Sequence, residues 1–209
     1  MVISLKNVSK NIKRKKVLDN ISAEFESGII YGLVGRNGSG KTMLLRAISG
    51  LIQIDEGEIL LDGETSNSRK NKTMDLGIMI ENMGLYPELN AYDNLNYLTG
   101  LNKKVSKETI NKYIEMVGLD SKDKRPFRKY SLGMKQRLVF AQAIFENPSI
   151  ILLDEPTNSL DENGVNTIRN IIMKLKSKDR IIIITSHNKE DINILTDKIY
   201  TISDGRLEK

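Results

Sequence analysis

A chain of 209 residues, 39% hydrophobic and 28% charged, can core one globular domain with room for a small inserted subdomain. No run approaches the about 20 apolar residues of a membrane span, and the first sixteen residues lack the apolar stretch and cleavage site of a signal peptide. There are no cysteines, which excludes disulfides and Cys-based metal sites and fits a cytoplasmic protein. The net charge of +5 gathers at Lys13 to Lys16 and between Lys122 and Lys129. Such runs are read as solvated surface or as favouring an anionic membrane face. With 5% aromatic residues and no accompanying motif, no nucleic-acid partner is expected.

Strand-like and helix-like segments alternate along the chain, which argues for an α/β domain with a mainly parallel sheet. The run Ile29 to Val34 is of buried-strand type, and Met43 to Ile48 reads as a helix. Between them, Gly35-Arg36-Asn37-Gly38-Ser39-Gly40-Lys41-Thr42 matches G-x-x-x-x-G-K-[ST] in full. Glycines at these positions let backbone N–H groups turn inward around phosphates, and the helix that follows adds its positive end. Lys41 is expected to reach the β- and γ-phosphates of ATP, and the Thr42 hydroxyl to ligate Mg²⁺. A chance glycine-rich turn is the alternative, but it does not explain the strand before and the helix after.

From Met83 to Glu146 the pattern becomes helical, with Leu95, Leu98 and Leu101 marking one helix and Ile110, Tyr113, Ile114 and Val117 another. A helical insertion into the α/β core is the simplest account. Within it, Tyr130-Ser131-Leu132-Gly133-Met134-Lys135-Gln136-Arg137 puts a Ser and a Gly at a helix start, which is a second anion site or an ordinary cap. Since one P-loop is already present, a second phosphate-binding helix end is best explained by a nucleotide held between two protomers.

Ser149 to Pro156 is an apolar strand that delivers Asp154 and Glu155 at its C-terminal end, where parallel α/β sheets bind ligands. Asp154 is expected to hold Mg²⁺, and Glu155 to orient or deprotonate the attacking water. The strand Arg180 to Thr185 is followed by His187, the only histidine, where a ring N–H can meet the γ-phosphate. A purely structural histidine is the other reading. A last strand, Lys198 to Ser203, is closed by the turn Asp204-Gly205, and no regulatory domain is expected beyond it.

In this order, P-loop, helical insert, Ser–Gly signature, Asp–Glu pair and switch histidine, the chain resembles the nucleotide-binding domains of ABC transporters over essentially its whole length. The resemblance implies a RecA-like P-loop NTPase core with an N-terminal antiparallel β part, residues 1–81 and 147–209, and a helical subdomain, 82–146. It implies an ATPase that dimerises around two Mg²⁺–ATP, drives a separate transmembrane permease, and sits on the inner face of the membrane through that partner. Ser131 and Gly133 would contact the nucleotide bound by the second protomer, and Asp161 of Asn158-Ser159-Leu160-Asp161 would communicate across the dimer.

The chain departs from the family pattern at three places. Leu132 and Met134 replace a glycine and a glutamine of the signature. Glu81 stands where most members carry the Gln that meets Mg²⁺ or its water; a carboxylate is also a hard-oxygen ligand. Ile12 falls where an aromatic residue usually stacks on adenine, and Tyr31 is set aside as a residue of a core strand. Glu81 and the Tyr-Ser-x-Gly-Met signature resemble the bacitracin-resistance and lantibiotic-immunity branch. Two alternatives are a regulatory module with little hydrolysis and a soluble ABC ATPase outside transport.

Overall fold

The computed structural model describes residues 1–65, 75–80, 85–99 and 105–208. Its strands are β1 (Val2–Ile12), β2 (Lys15–Glu26), β3 (Ile30–Val34), β4 (Glu56–Leu61), β5 (Glu64–Thr65), β6 (Leu76–Met79), β7 (Ile150–Asp154), β8 (Ile181–Thr185), β9 (Lys198–Ser203) and β10 (Arg206–Leu207). Its helices are α1 (Lys41–Ile48), α2 (Ala91–Thr99), α3 (Lys107–Met116), α4 (Leu132–Ile144), α5 (Glu162–Leu175) and α6 (Lys189–Leu195).

The N-terminal part is an antiparallel sheet in the order β2-β1-β4-β5. Its alternation is that of a half-buried sheet: Ile3 and Leu5 of β1 and Ile21, Ala23 and Phe25 of β2 turn inward while their neighbours stay in or near solvent. The second sheet runs β10-β9-β3-β8-β7-β6 and is parallel except for β10, which returns through the Asp204-Gly205 turn. Both residues of that turn have positive φ, 47° and 79°, as a tight two-residue hairpin requires.

The strands β7 and β8 read as unbroken apolar runs because both faces of the sheet are covered. Ile151, Leu153, Ile182 and Ile184 pack on one side with residues of α2 to α5. Ile150, Leu152, Ile181 and Ile183 pack on the other with α1 and the N-terminal sheet. Tyr31 is buried between Phe25 and Tyr200, with ring centroids 5.0 and 5.9 Å away, and is a core residue as the sequence implied.

Two details differ from the sequence-based outline, and a third cannot be compared. The first helix begins at Lys41 rather than Met43, so Lys41 and Thr42 lie on its first turn. Leu101 falls outside the described residues. Although α4 belongs to the stretch of helical pattern, it lies directly on the sheet: a Cβ at Gly77 of β6 would come within 1.7 Å of the Ala143 carbonyl oxygen.

Where α6 meets the sheet, the Asp197 carboxylate accepts the Ile30 N–H at 2.7 Å and the Lys176 ammonium at 2.6 Å. Burial raises its pKa, but those two donors outweigh burial and hold it below the ordinary carboxylate value. A depressed folded-state pKa means that the stabilisation is present above the unfolded-state value and is lost as pH falls through the folded one. Asp197→Ala is therefore expected to melt below the wild type at neutral pH. The gap should narrow once the pH drops under about 4; thermal melts at both pH values check this.

Candidate functional site

The site grows from three neighbouring strand ends. β3 stands beside β8, and β8 beside β7, in a register that puts Leu33, Thr185 and Asp154 in one row. The loops leaving these strands carry the P-loop, His187 and Glu155. Together they open on a cleft of about 880 Å³ whose walls include Gly38, Lys41, Thr42, Asp154, Glu155 and His187.

The P-loop turns sharply as it leaves β3. Gly35 has φ 154° and its Cα lies so close to the chain that a Cβ would meet the Ile202 carbonyl oxygen at 2.2 Å. Only glycine fits there. Lys41 folds back, donating from Nζ to the Gly35 and Arg36 carbonyls at 2.7 and 3.2 Å. The Ser39 hydroxyl is buried without a hydrogen-bond partner among the described residues, although Ser39 and Lys41 both belong to the cradle. A buried orphan hydroxyl beside inward-turned backbone and a lysine is chemistry suited to phosphate oxygens.

Asp154 is 7% exposed and lies between two hydroxyls. Thr42 donates to its Oδ2 at 2.6 Å and Thr185 to its Oδ1 at 2.5 Å. One hydroxyl and one carboxylate oxygen therefore converge at the mouth of the P-loop. This donor set fits Mg²⁺, which binds through one or two carboxylates and completes its shell with substrate phosphates and water. Glu81 lies outside the described residues.

Glu155 follows in a strained turn, at φ 51°. Its N–H is held by Thr185, at 3.1 Å from the hydroxyl and 3.2 Å from the carbonyl, and its carbonyl accepts Gln136 Nε2 at 3.0 Å. The side chain then meets His187: Glu155 Oε2 lies 2.8 Å from His187 Nδ1 and accepts the His187 N–H at 3.2 Å. His187 is exposed to the cleft. The two residues singled out for hydrolysis are thus in contact.

Ser131 is the N-cap of α4, accepting the Met134 N–H at 3.2 Å. Accepting leaves its own O–H free to donate. Of the signature, Leu132 and Gln136 line the cleft, and Leu132 is 66% exposed. Ser131 and Gly133 are not among its walls, nor is Asp161. Asp161 caps α5, accepting the Gly164 N–H at 3.0 Å, and pairs with Arg137 of the signature helix at 2.7 Å. Ile12, at the end of β1, lines the same cleft as the P-loop together with Val17. No Phe, Tyr or Trp side chain lines that cleft among the described residues.

Sequence reasoning did not single out Thr185, and it quoted Gln136, Asn158 and Ser159 within motifs without giving them roles, although all four line or brace the site. Thr185 is the single polar residue ending an isoleucine run, and that position at a strand's C-terminal end was its only signal. The Gln136 contact is tertiary and left none.

Against known proteins, residues 18–158 match the ABC transporter family. The chain is 50% identical to YybJ, an uncharacterized ABC transporter ATP-binding protein of Bacillus subtilis strain 168, over 99% of this chain and 95% of that one. It is 35% identical to the lantibiotic transport ATP-binding protein SrtF of Streptococcus pyogenes, covering 99% and 89% of the two chains. It is 38% identical to the bacitracin transport ATP-binding protein BcrA of Enterococcus faecalis, covering 99% and 68%. Among solved structures, the dimeric cassette MJ0796 superposes with a TM-score of 0.90 at 24% identity, over 99% of this chain and 97% of that one, which establishes the fold. A post-hydrolysis state of MJ0796 bound to ADP and Pi superposes with a TM-score of 0.87 at 25% identity and the same coverage.

Proposed function

The chain belongs to the ABC transporter family, as one of its ATP-binding, ATP-hydrolysing cassettes, and we propose that two copies close around two ATP molecules to drive a separate transmembrane permease. The observation that supports this best is the convergence of Thr42, Asp154, Glu155 and His187 at the P-loop mouth. The P-loop N–H groups from Gly35 to Gly40 bind the phosphates, and Lys41 leaves its two carbonyl partners to reach them. Thr42 and Asp154 would hold Mg²⁺, with Glu81 as the further carboxylate that the sequence offers for it, and the ion would neutralise charge on the phosphate oxygens. Glu155 takes the proton of the attacking water, and His187 donates a ring N–H to the γ-phosphate.

Ser131 and Gly133 are not among the walls of their own cleft, which supports a role toward the nucleotide of the partner copy, with Asp161 relaying between the two. Ile12 and Val17 pack on the base without ring stacking. We divide the chain into a core of 1–81 and 147–209 and a helical subdomain of 82–146, with α4 as the element that ties the two together. Among the described residues no helix is long and apolar enough to cross a membrane, so attachment to the inner face runs through the permease. The lantibiotic and bacitracin names of SrtF and BcrA support peptide antibiotics as the transported class.

Two experiments test this. With its neighbouring membrane subunit co-expressed, the protein should sediment with membranes, and without it remain in the supernatant; sedimentation that ignores the subunit would overturn the transport role. His187→Ala should lower kcat on the order of 10²-fold with nucleotide affinity spared, as read by ATPase assay and equilibrium binding. Unchanged turnover would remove His187 from the mechanism.

A further inference from the structure

Behind the cleft lies a buried charge that the hydrolytic scheme leaves unused. Asp191, on the first turn of α6, is 1% exposed. Its Oδ2 accepts the Thr157 hydroxyl at 2.5 Å and the Ser186 hydroxyl at 3.1 Å. Its Oδ1 accepts Arg169 Nε at 2.7 Å and lies 2.6 Å from Arg169 Nη2, which also meets Glu190 at 3.0 Å. Arg169 comes from α5 and is itself buried. A buried carboxylate with every contact satisfied is costly to dismantle, because removing one partner strands the others.

What sets this network apart is where its hydroxyls come from. Thr157 stands two residues after Glu155 in the same turn, and Ser186 immediately precedes His187. The Ser186 oxygen also accepts the Asn188 N–H at 3.0 Å, so the histidine is flanked by both ends of one small network. A single buried carboxylate therefore holds the two loops that carry the water-activating glutamate and the γ-phosphate histidine. Among the described residues, the other hydrogen bonds between the two loops run through Thr185 and the Glu155–His187 contact itself.

We infer that Asp191, acting through Thr157 and Ser186, is a positioning residue for hydrolysis: it sets the separation and orientation of Glu155 and His187. The inference rests on the catalytic reading above. In that reading the pair must meet one water and one phosphate at once, and a displacement of an ångström is enough to cost 10- to 10²-fold in rate. Nucleotide binding should not depend on the network, because the P-loop and Asp154 are held by other bonds.

Thr157→Val and Thr157→Ser separate positioning from packing, since valine keeps the volume and serine keeps the hydroxyl. Thr157→Val is expected to lower kcat by roughly tenfold or more with KM and equilibrium ATP affinity unchanged, and Thr157→Ser to recover most of it. Asp191→Asn should lower kcat in the same way. Because His187 is the only histidine in the chain, its imidazole resonances report directly on its placement. They should shift in Thr157→Val and Asp191→Asn and return in Thr157→Ser. A merely structural network would lower the melting temperature yet leave kcat per folded molecule and the His187 resonances as in the wild type, and that result overturns the inference. If Asp191→Asn fails to fold, the threonine pair decides alone. An inactive wild type would instead count against the catalytic reading.

Discussion

Glu155→Gln should reduce steady-state ATP turnover by about 10²- to 10⁴-fold while leaving nucleotide binding intact. Glutamine keeps the size and the hydrogen-bonding reach of the side chain, and the strained backbone at φ 51° is held by Thr185 and Gln136 rather than by the carboxylate. What is lost is the capacity to take a proton from water. Binding energy still closes the dimer, so ATP-bound dimer should accumulate, readable by size-exclusion chromatography with ATP. Turnover at the wild-type rate would remove Glu155 as the base.

Gly77→Ala should be strongly destabilising. Its Cβ would stand 1.7 Å from the Ala143 carbonyl oxygen and 2.7 Å from Pro148 Cγ. The first obstacle is backbone of α4, so relief requires moving the helix off β6. Overpacking of this kind costs about 3 kcal/mol or more, which for a domain of this size lowers Tm by roughly 6–12 °C. The loss should also reach the site, because α4 carries Ser131 and Gly133 at its start and Gln136 against the Glu155 carbonyl. A thermal melt and an ATPase assay on the same variant check both; a melt within about 2 °C of the wild type would show that α4 and β6 separate more easily than their geometry implies.

Several parts of the molecule were legible before any coordinates. The strands β3, β7 and β8 could be placed because strands buried on both faces are continuous apolar runs, whereas β9, mostly exposed or half-buried, was marked by the Asp204-Gly205 turn that closes it. The P-loop was legible because a phosphate cradle needs particular residues at adjacent positions, which a linear chain displays directly. His187 could be singled out because it follows a strand that ends at the ligand-binding edge. The N-cap role of Ser131 was open at that stage, and the structure realises it while leaving the hydroxyl proton free.

Other features had no linear signal. The contact between Glu155 and His187 joins residues 32 positions apart, and Thr185 bridges Asp154 and Glu155 from a neighbouring strand. Arg137 and Asp161 were both in view as motif residues, but nothing in their spacing said that one clamps the other. The helical pattern of the insert likewise concealed that α4 packs on the sheet, because periodicity shows that a helix has an apolar face and not what covers it.

The sequence determined the phosphate chemistry: which backbone can cradle a phosphate, which lysine and hydroxyl accompany it, and which carboxylates follow a buried strand. Those requirements are local, and local spacing expresses them. Tertiary structure alone decided the strand order that places β8 between β3 and β7, and with it the meeting of Glu155, His187 and the P-loop on one cleft. It also decided that Asp191 is buried among Thr157, Ser186 and Arg169. The physical reason is that hydrogen bonds and close packing are formed by proximity in space, and the pairing of distant segments sets that proximity.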